Sequence, residues 1–569
     1  MPGSRKNILF IMFDQLRFDY LSCAGHPHLQ TPHMDKIAER GVRFSRCYVQ
    51  SPVCGSSRMS FYTGRYASSH GAQWNNFPLK VGEHTIGDHL RKLGMNSYIV
   101  GKTHMAADKE GMERLGLQPD SVIGARVSEC GFDIFTRDDG LWGYGPDGYY
   151  DQKRSPYNQY LNQKGYEGEN PWHDFANSAI DENGDMASGW FMKHADKPAN
   201  IAEEDSETPW LTREVIRFME ERAAGDQADE PWMCHASYIK PHWPYIVPEP
   251  YHAMFGGNHV PAATRHPDER ENPHPVYAQF MNNAIGKAFH RDEVRDVVIP
   301  AYMGLIKQCD DQMGVLFDYM EKTGRMEDTM IVITSDHGDY LGDHWLGEKD
   351  LFHEQSAKIP MIIYDPSSEA DAGRGTVCDE LVEAIDLAAT FVEYCGGEVP
   401  NHIIEGRSLM PFLKGEQPEE WRDYAISEYD YSQTPMAVRL NLSPTDSRLF
   451  MVADKRWKFM HAEGGDESGP FPPMLFDMEN DPEEFFDLGT DPQYQEIIDL
   501  MYERLGKWGR RMSQRTTRSD KEIIAGRGKS RRRGILVGTY DHREVDPEWS
   551  VKYLGKAPQR PELGDSENG

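Results

Sequence analysis

The sequence has no long hydrophobic run. Its first apolar stretch, Ile8 to Phe13, is shorter than the roughly 18–20 residues of a membrane span and than the roughly 7–15 residues of a signal-peptide core. The mean hydropathy is −0.68, which is typical of a globular protein. These features exclude a transmembrane helix of the usual kind. We therefore expect a protein with no membrane partner that is cytoplasmic, with export by a route that the sequence does not show as the alternative.

Cysteine is also scarce, with 8 residues in a chain of 569 and no CxxC pair. Such spacing excludes a disulfide framework and a cysteine-based zinc site. It fits reduced thiols, which agrees with the expected location.

Basic residues are outnumbered, because 61 Lys and Arg stand against 92 Asp and Glu and the formal net charge is −31. This charge argues against nucleic acid as a partner, and it requires any site for an anion to be basic locally. One stretch, from Lys507 through Arg533, runs against the overall balance. We interpret its part at 527–533 as a contact with an acidic neighbouring subunit, so we expect a homo-oligomer. Nucleic-acid binding there is the weaker alternative.

The order of apolar segments predicts an α/β fold. Stretches such as Asn7 to Phe13 and Met330 to Thr334 are apolar throughout, as buried parallel strands are, and helical patterns lie between them. This pattern covers residues 1–423. Within it, residues 110–200 are rich in Gly, Asp, Tyr and Trp and predict an insertion.

The C-terminal part of the chain has a different pattern. Short strands and one helix between residues 424 and 546 predict a smaller α+β domain with an antiparallel sheet. Residues 547–569 are rich in Pro, Gly and charge, which predicts a tail or an oligomerisation arm.

Side chains that catalyse reactions or bind metals follow four of the predicted strands. In chain order they are Asp14 with Gln15, Lys102 with His104, His242, and Asp336 with His337, and Lys349 lies shortly beyond. Each one alone is a weak signal, since a single His is more often structural and a Lys usually reaches solvent. Ligands of open α/β sheets bind past the carboxyl ends of the strands, so we expect these residues on one rim.

A cysteine motif supplies a candidate nucleophile. Cys54 is followed by Gly-Ser-Ser-Arg58 and then by Thr63-Gly64. The residues after Cys54 can form a helix, with Ser56 or Ser57 as its cap. Cys54 is then expected at a helix N-terminus, where backbone N–H groups favour an anion.

This motif resembles the signature of type I sulfatases, Cys-x-(Pro/Ala)-Ser-Arg-x-x-x-x-Thr-Gly, with Ser56 at the Pro/Ala position. The chain as a whole resembles the sulfatase and phosphonate monoester hydrolase branch of the alkaline phosphatase superfamily. The segments that carry the resemblance are 7–14, 31–35, 101–104, 241–242, 335–338, 406–409 and 475–483. The resemblance implies an alkaline-phosphatase-like α/β/α sandwich with a central, mostly parallel sheet.

The resemblance also implies the cofactors. A formylglycine-generating enzyme would oxidise Cys54 to formylglycine, whose hydrated aldehyde is the nucleophile of the family. Asp14, Asp336 and His337 then resemble the ligands of one divalent metal, together with the modified Cys54, and Gln15 stands where many sulfatases have a second Asp. Oxygen donors suit calcium or manganese, and a His ligand favours manganese.

The remaining roles are carried over in the same way. Arg58 is expected to hold the nucleophilic hydroxyl, and Lys102 and Lys349 to neutralise the sulfuryl oxygens. His242 is expected to protonate the leaving oxygen and His104 to assist the release of sulfate. A residue after the motif, Asn75, is expected to contact the substrate.

Three functions stay open at this point. The first is hydrolysis of sulfate monoesters by an arylsulfatase-like enzyme that also accepts phosphonate monoesters and phosphodiesters. The second is phosphonate monoester or phosphodiester hydrolysis as the main activity. The family pattern separates them, because sulfatases carry Lys-x-His where this chain has Lys102 and His104, and phosphonate hydrolases carry Tyr-x-Thr. The third is a non-catalytic anion-binding protein in which Cys54 stays a thiol.

Overall fold

A computed structural model describes residues 6–140, 155–225, 228–511, 513, 517–527, 540–544, 547–551 and 554–557. The chain divides into two compact units, residues 1–514 and 515–569. The second unit contains the short helices Asp520–Gly526, His542–Glu544 and Pro547–Ser550. Most of the basic run at 527–533 and the end of the predicted arm lie outside the described residues. The division into units does not test the domain boundary at 423/424, which stays a prediction.

The first unit is built on a central sheet of eight strands. We number them β1 Asn7–Asp14, β2 Val42–Tyr48, β3 Asn96–Gly101, β4 Asp133–Arg137, β5 Trp232–Pro241, β6 Thr329–Ser335, β7 Lys358–Tyr364 and β8 Thr376–Glu383. Their order across the sheet is β8-β2-β7-β6-β1-β5-β3-β4. Strand β7 runs antiparallel to both of its neighbours, and every other adjacent pair is parallel. The predicted mostly parallel sheet is confirmed.

A smaller antiparallel sheet follows, as predicted. Its strands are β9 Ala425–Asp430, β10 Arg448–Ala453, β11 Trp457–Ala462 and β12 Met474–Asp477, paired in that order. Two-stranded ribbons join Ser178–Ile180 to Met186–Ser188 and Gly465–Asp466 to Gly469–Pro470.

Helices fill the connections of the first unit. The α-helices are Pro32–Arg40, Cys54–Thr63, Ala67–His70, Ile86–Arg91, Lys109–Leu115, Val122–Ser128, Pro156–Gln163, Glu207–Ala224, Pro275–Met281, Ala284–Phe289, Asp292–Lys322, Glu354–Ala357, Asp386–Tyr394, Met410–Leu413, Pro435–Arg439 and Gln495–Gly509. A π-helical turn lies at Trp172–Ala176, and 3-10 turns lie at Ser22–Ala24, Met192–Asp196, Glu203–Asp205, Tyr251–Met254, Gly257–His259, Pro267–Arg270, Arg325–Glu327, Asp343–Trp345, Ser368–Ala370 and Pro492–Tyr494. Among the described residues, none of the helices combines the length and apolar content needed to cross a bilayer.

The sheet is covered on both faces, which explains the continuous apolar pattern of its strands. All eight residues of β1 are buried. Alternate residues enter different cores, with Leu9, Ile11 and Phe13 on one face and Ile8, Phe10 and Met12 on the other. The helix Asp292–Lys322 packs in the first core and the helix Asp386–Tyr394 in the second, so the three-layer α/β/α arrangement is confirmed.

The segment 110–200, predicted as an insertion, contributes one strand to the sheet. Strand β4 pairs in parallel with β3 at the edge. Its pattern of half-buried residues is too weak and too short, at 5 residues, to stand out from the polar sequence around it.

Candidate active site

The carboxyl ends of neighbouring strands bring the predicted residues to one rim. In the order β6-β1-β5-β3, these strands end at Ser335, Asp14, Pro241 and Gly101. The register shifts between Phe13 and Asp14, which sets Asp14 opposite Pro241. The polar side chains that follow these ends therefore converge, as the strand-end pattern predicted.

Cys54 is the first residue of the helix Cys54–Thr63 and is buried. The predicted serine cap is wrong, because Ser57 donates to the carbonyl of Asp336 and Ser56 has no hydrogen-bond partner in the described part of the chain. Instead, Oδ1 of Asn75 accepts the hydrogen bond of the Gly55 N–H at 2.8 Å. Asn75, predicted to contact substrate, here holds the helix end that carries Cys54.

Four potential ligand atoms meet at the end of this helix. They come from Asp14, Cys54, Asp336 and His337, and all lie within 4.8 Å of one another. All four residues are buried, so each side chain is held by its neighbours.

Arg58 orients the two carboxylates of this group. It donates from Nη2 to Oδ2 of Asp14 at 3.1 Å and from Nε to Oδ2 of Asp336 at 2.8 Å. Its Nη1 donates to Ser237 Oγ and to the Lys102 carbonyl. The structure thus places Arg58 behind the carboxylates, and its role toward the nucleophilic hydroxyl of residue 54 stays a prediction. Because one oxygen of each carboxylate pairs with Arg58, the other oxygen is the one that belongs to the cluster of four potential ligand atoms, which we call the centre.

His337 presents its Nε2 to the same centre. Nδ1 lies 2.8 Å from the Gly338 carbonyl, so we assign the N–H to Nδ1. Nε2 is then an acceptor, 3.0 Å from Cys54 Sγ and 3.8 Å from Asp14 Oδ1. Burial lowers the pKa of His337, which keeps the ring neutral. A neutral imidazole whose far nitrogen donates to a carbonyl is the usual form of a metal ligand.

The donor set fits one divalent cation. Two carboxylate oxygens and one imidazole nitrogen face a common point, and Cys54 Sγ stands where the hydroxyl oxygens of a hydrated formylglycine would lie. Mixed oxygen and nitrogen donors suit manganese, and calcium is the oxygen-preferring alternative.

Gln15 lies at the edge of this set. Its Nε2 donates to Asp339 and to the hydroxyl of Tyr245, while Oε1 accepts from Lys349 at 3.3 Å. Its backbone N–H donates to Asp336 Oδ1 at 3.0 Å. The side-chain oxygen of Gln15 therefore faces Lys349, and the role of Gln15 as a further ligand stays a prediction.

Two buried lysines make the site basic. Nζ of Lys102 lies 2.6 Å from Asp14 Oδ2, and Nζ of Lys349 lies 3.1 Å from Cys54 Sγ. Burial by itself raises the pKa of Asp14, but the charges of Lys102 and Arg58, together with the neighbouring His242, outweigh it and hold that pKa well below its usual range. For Lys349, burial opposes the charge, but Cys54 and Asp14 prevail and raise its pKa. The local basicity required of an anion site in this acidic chain is present.

Backbone geometry sets the positions of these lysines. Gly101, before Lys102, has φ +111°, and a Cβ there would lie 2.1 Å from the carbonyl oxygen of Ser237. Only glycine permits this approach between β3 and β5. Lys349 is flanked by Glu348 and Asp350, whose φ values of 60° and 98° are strained for non-glycine residues.

His104 and His242 occupy the same rim. His104 has φ 54°, its ring is half-buried, and Nδ1 has no partner among the described residues. Burial and the charge of Lys102 hold the pKa of His104 well below its usual value, although Asp14 opposes this.

His242 directs its ring into the site. Nδ1 lies 2.6 Å from the Trp243 carbonyl, and Nε2 lies 3.3 Å from Lys349 Nζ and 3.9 Å from Asp14 Oδ1. Burial lowers the pKa of His242. The neutral ring therefore accepts a hydrogen bond from the Lys349 ammonium.

The described residues contain two further groups with metal-binding atoms. In the first, Glu269, His344 and His353, the imidazole rings stack at 3.8 Å and 6°, so their in-plane lone pairs cannot meet at one ion. In the second, His33 with Asp310 and Asp311, Oδ1 of Asp310 already accepts two backbone N–H groups. We assign no metal to either.

Sequence reasoning missed the residues that support the site. Ser237 anchors Arg58, and Asp339 with Tyr245 anchors Gln15. None of them belongs to a motif. Their only signal is position, since Ser237 lies near the end of a buried strand and Asp339 follows the Ser335 to Gly338 motif.

Comparison with known proteins agrees with this site. The Sulfatase family model matches residues 6–397, and a model of the C-terminal part of N-sulphoglucosamine sulphohydrolase matches residues 342–511. The multifunctional alkaline phosphatase superfamily protein PehA of Trinickia caryophylli is 29% identical over 90% of this chain and 97% of its own length. An arylsulfatase of Clostridium perfringens is 26% identical, over 87% of this chain and 93% of its own.

A solved structure of a hydrolase has the same fold as this chain. The phosphonate monoester hydrolase of Silicibacter pomeroyi superimposes with a TM-score of 0.76 at 27% identity, over 88% of this chain and 95% of that one. The sulfatase model alone covers more than half of the sequence, and it includes every residue of the rim. This chain belongs to the sulfatase family and is a hydrolase.

Proposed function

We propose that this protein hydrolyses sulfate monoesters, aryl sulfates among them, and that it depends on a divalent metal and on formylglycine at position 54. The reaction adds water to the ester and releases an alcohol or phenol and sulfate. The observation that carries the proposal is that Lys102 and His104 lie on the rim that also carries Cys54 and the carboxylates, where Lys102 pairs with Asp14 and both Lys102 and Asp14 act on the pKa of His104.

The charges of the rim suit a small monoanionic ester. Lys102 and Lys349 provide two ammonium groups near Cys54 and Asp14, with which the non-bridging oxygens can pair. Fixed charges in a site shielded from water stabilise the transition state more than they would in solvent. The net charge of −31 then repels anions at long range only.

Asp14, Asp336 and His337, with residue 54, would hold the metal, and Gln15 is a candidate further ligand. When bound, the metal and the formylglycine supply an activated hydroxyl nucleophile at neutral pH. Through its hydrogen bonds to both carboxylates, Arg58 keeps Asp14 and Asp336 apart and holds each of them in the orientation of a metal ligand during the reaction.

One lysine and two histidines handle the protons of the reaction. Lys349 Nζ donates its hydrogen bond to His242 Nε2, so the proton for the leaving oxygen starts on Lys349 and is passed to that oxygen through His242 Nε2. His104 offers a ring nitrogen without a partner among the described residues, and we assign to it the role of base for residue 54. This division of acid and base follows general acid–base catalysis.

A second function has its own support. Phosphonate monoester hydrolases from Silicibacter pomeroyi and Agrobacterium radiobacter match this fold with TM-scores of 0.76 and 0.75. The relative PehA is described as multifunctional. We therefore include phosphonate monoesters and phosphodiesters as secondary substrates, with phosphonate hydrolysis as the alternative main activity. The proposal also keeps a homo-oligomer in the cytoplasm and a formylglycine-generating enzyme as the maturation partner.

A substrate panel tests the proposal. It compares kcat/KM for a para-nitrophenyl sulfate, a para-nitrophenyl phosphonate monoester and a bis-para-nitrophenyl phosphate, which share one leaving group. We expect the sulfate to give the highest value. A higher value for the phosphonate would establish the alternative, and no turnover of any of the three would refute both.

Peptide mass spectrometry tests the nucleophile. Active protein made together with a formylglycine-generating enzyme should carry an aldehyde at residue 54, and Cys54→Ala should abolish turnover while the protein still folds. Cys378→Ala is the matched control, since Cys378 is half-buried on the edge strand β8. Active enzyme with only unmodified Cys54 would contradict the proposal.

A further inference from the structure

Lys240 is a buried lysine whose ammonium group binds the loop that carries His242. Its Nζ donates to Asn177 Oδ1 at 2.7 Å, to the Pro244 carbonyl at 3.2 Å and to the His242 carbonyl at 3.4 Å. The residue lies at the end of β5 and is 5% exposed. It therefore holds the segment 242–244 at both of its ends.

A lysine is a costly residue for this position. In the part of the chain that the structure describes, no carboxylate oxygen lies within 4.0 Å of Nζ, and its three hydrogen-bond partners are neutral oxygens. Burial lowers the pKa of Lys240 to about 8, although the charge of the buried Glu207 carboxylate opposes this from beyond ion-pair distance. An apolar side chain would fill the space at lower desolvation cost, so packing alone does not account for the ammonium group.

The loop that Lys240 holds determines how His242 points. The Nδ1 of His242 bonds the carbonyl of Trp243, which lies between the two carbonyls that Lys240 binds. The Trp243 ring also packs on the His242 ring, with centroids 4.5 Å apart. A shift of this backbone would therefore turn Nε2 away from Lys349 and from the leaving oxygen.

Asn177 fixes the other side of the contact. Its Nδ2 donates to the Trp172 carbonyl at 3.0 Å, its own carbonyl accepts from the Gly189 N–H at 3.0 Å, and its side chain is fully buried. Lys240 thus joins the His242 loop to the 172–189 segment.

We propose that Lys240 is a positioning residue that holds the His242 ring in line with the leaving oxygen of the ester. This inference rests on the proposed function, in which His242 passes a proton to that oxygen. Lys240 touches neither substrate nor metal ligand in this role, and it acts through the backbone of residues 242–244.

The test uses Lys240→Met and a series of aryl esters whose phenols differ in acidity. Esters of weakly acidic phenols need the proton most, so their kcat/KM should fall about 10- to 100-fold, because general acid catalysis contributes about that much or more. Esters of strongly acidic phenols should lose less than about threefold. The variant should keep its metal and formylglycine content. An equal loss across the series would overturn the inference.

A double-variant cycle separates positioning from general loss of structure. In a His242→Ala background, Lys240→Met should add no further dependence on the leaving group, because residues that act through one another are not additive. An additive effect would overturn the inference. Lys458→Met is the matched control, since Lys458 is a fully buried lysine paired with Glu354 and Glu484. It should lower stability without changing the leaving-group dependence, and a change equal to that of Lys240→Met would also overturn the inference.

Asn177→Ala provides a second variant in case Lys240→Met does not fold. It removes one of the three acceptors and should give a smaller change in the same direction. An unchanged dependence in this variant would count against the role of Lys240. Failure of the proposed function is distinguishable, because wild-type protein would then hydrolyse no ester of the series.

Discussion

Replacing Lys102 by Tyr and His104 by Thr should change the choice between sulfate and phosphonate esters. Lys102 is almost fully buried and its Nζ lies 2.6 Å from Asp14 Oδ2, so the change removes a fixed charge from the centre of the site. A charge-assisted hydrogen bond contributes about 1.5–3 kcal/mol, which corresponds to roughly tenfold to a hundredfold in rate if it acts only in the transition state. The double variant should lose kcat/KM for an aryl sulfate by about that factor or more.

The ratio of two activities isolates this effect. Lys102 also helps to keep the pKa of Asp14 low, and the loss of that support affects both substrates alike. We expect phosphonate monoesterase activity with the same leaving group to fall less, or to rise. The assay measures kcat/KM for both esters in wild type, in each single variant and in the double variant.

Equal losses on both esters would refute the reasoning. They would mean that the pair supports residue 54 in general, and the preference for sulfate would lose its main ground. Unchanged rates on both would mean that Lys102 and His104 lie outside the catalytic path.

Three further predictions follow from the geometry. Elemental analysis should find about one equivalent of manganese or calcium per chain, as expected for a site with oxygen and nitrogen donors. Asp336→Asn should lose metal and activity together, whereas the control Asp318→Asn, at an exposed position, should keep both. Metal retained in Asp336→Asn would contradict the ligand set. Light scattering should give a multiple of the 65.1 kDa chain mass, and a monomer mass at every concentration would count against the oligomer. Lys240 has its pKa lowered by burial from 10.5 to about 8, so the unfolded chain binds more protons between these values and stability rises with pH there. Relative to Lys240→Met, wild type should gain up to about 3 kcal/mol across that window, seen as a thermal midpoint that rises relative to that of the variant as the pH increases. A difference in midpoint that does not change with pH would show that the ammonium is not desolvated.

The sequence by itself determined the fold class and the principal residues of the site. Strands such as Asn7–Asp14 are apolar on both faces, and only a sheet covered by two layers of helices buries both. The Cys54 motif, Asp14 and Asp336-His337 carry their signal in residue type and local spacing, which a linear sequence displays. The sulfatase family model that matches the chain agrees with that reasoning.

Contacts between distant segments were decided only by the tertiary structure. The sequence offered a serine as the helix cap, whereas the fold gives that role to Asn75. The fold also joins Arg58 to Asp14 and Asp336, and no motif predicted these two contacts. Strand β4 joins the sheet because its backbone pairs with β3, although its side chains show little pattern.

The same limit applies to Lys240 and Asn177, which are 63 residues apart in the chain. Periodicity, motifs and turns depend on neighbouring residues, so the local sequence predicts them. Which buried charge meets which carbonyl depends on the register of strands and the path of loops, and those are settled by the packing of the whole chain at once.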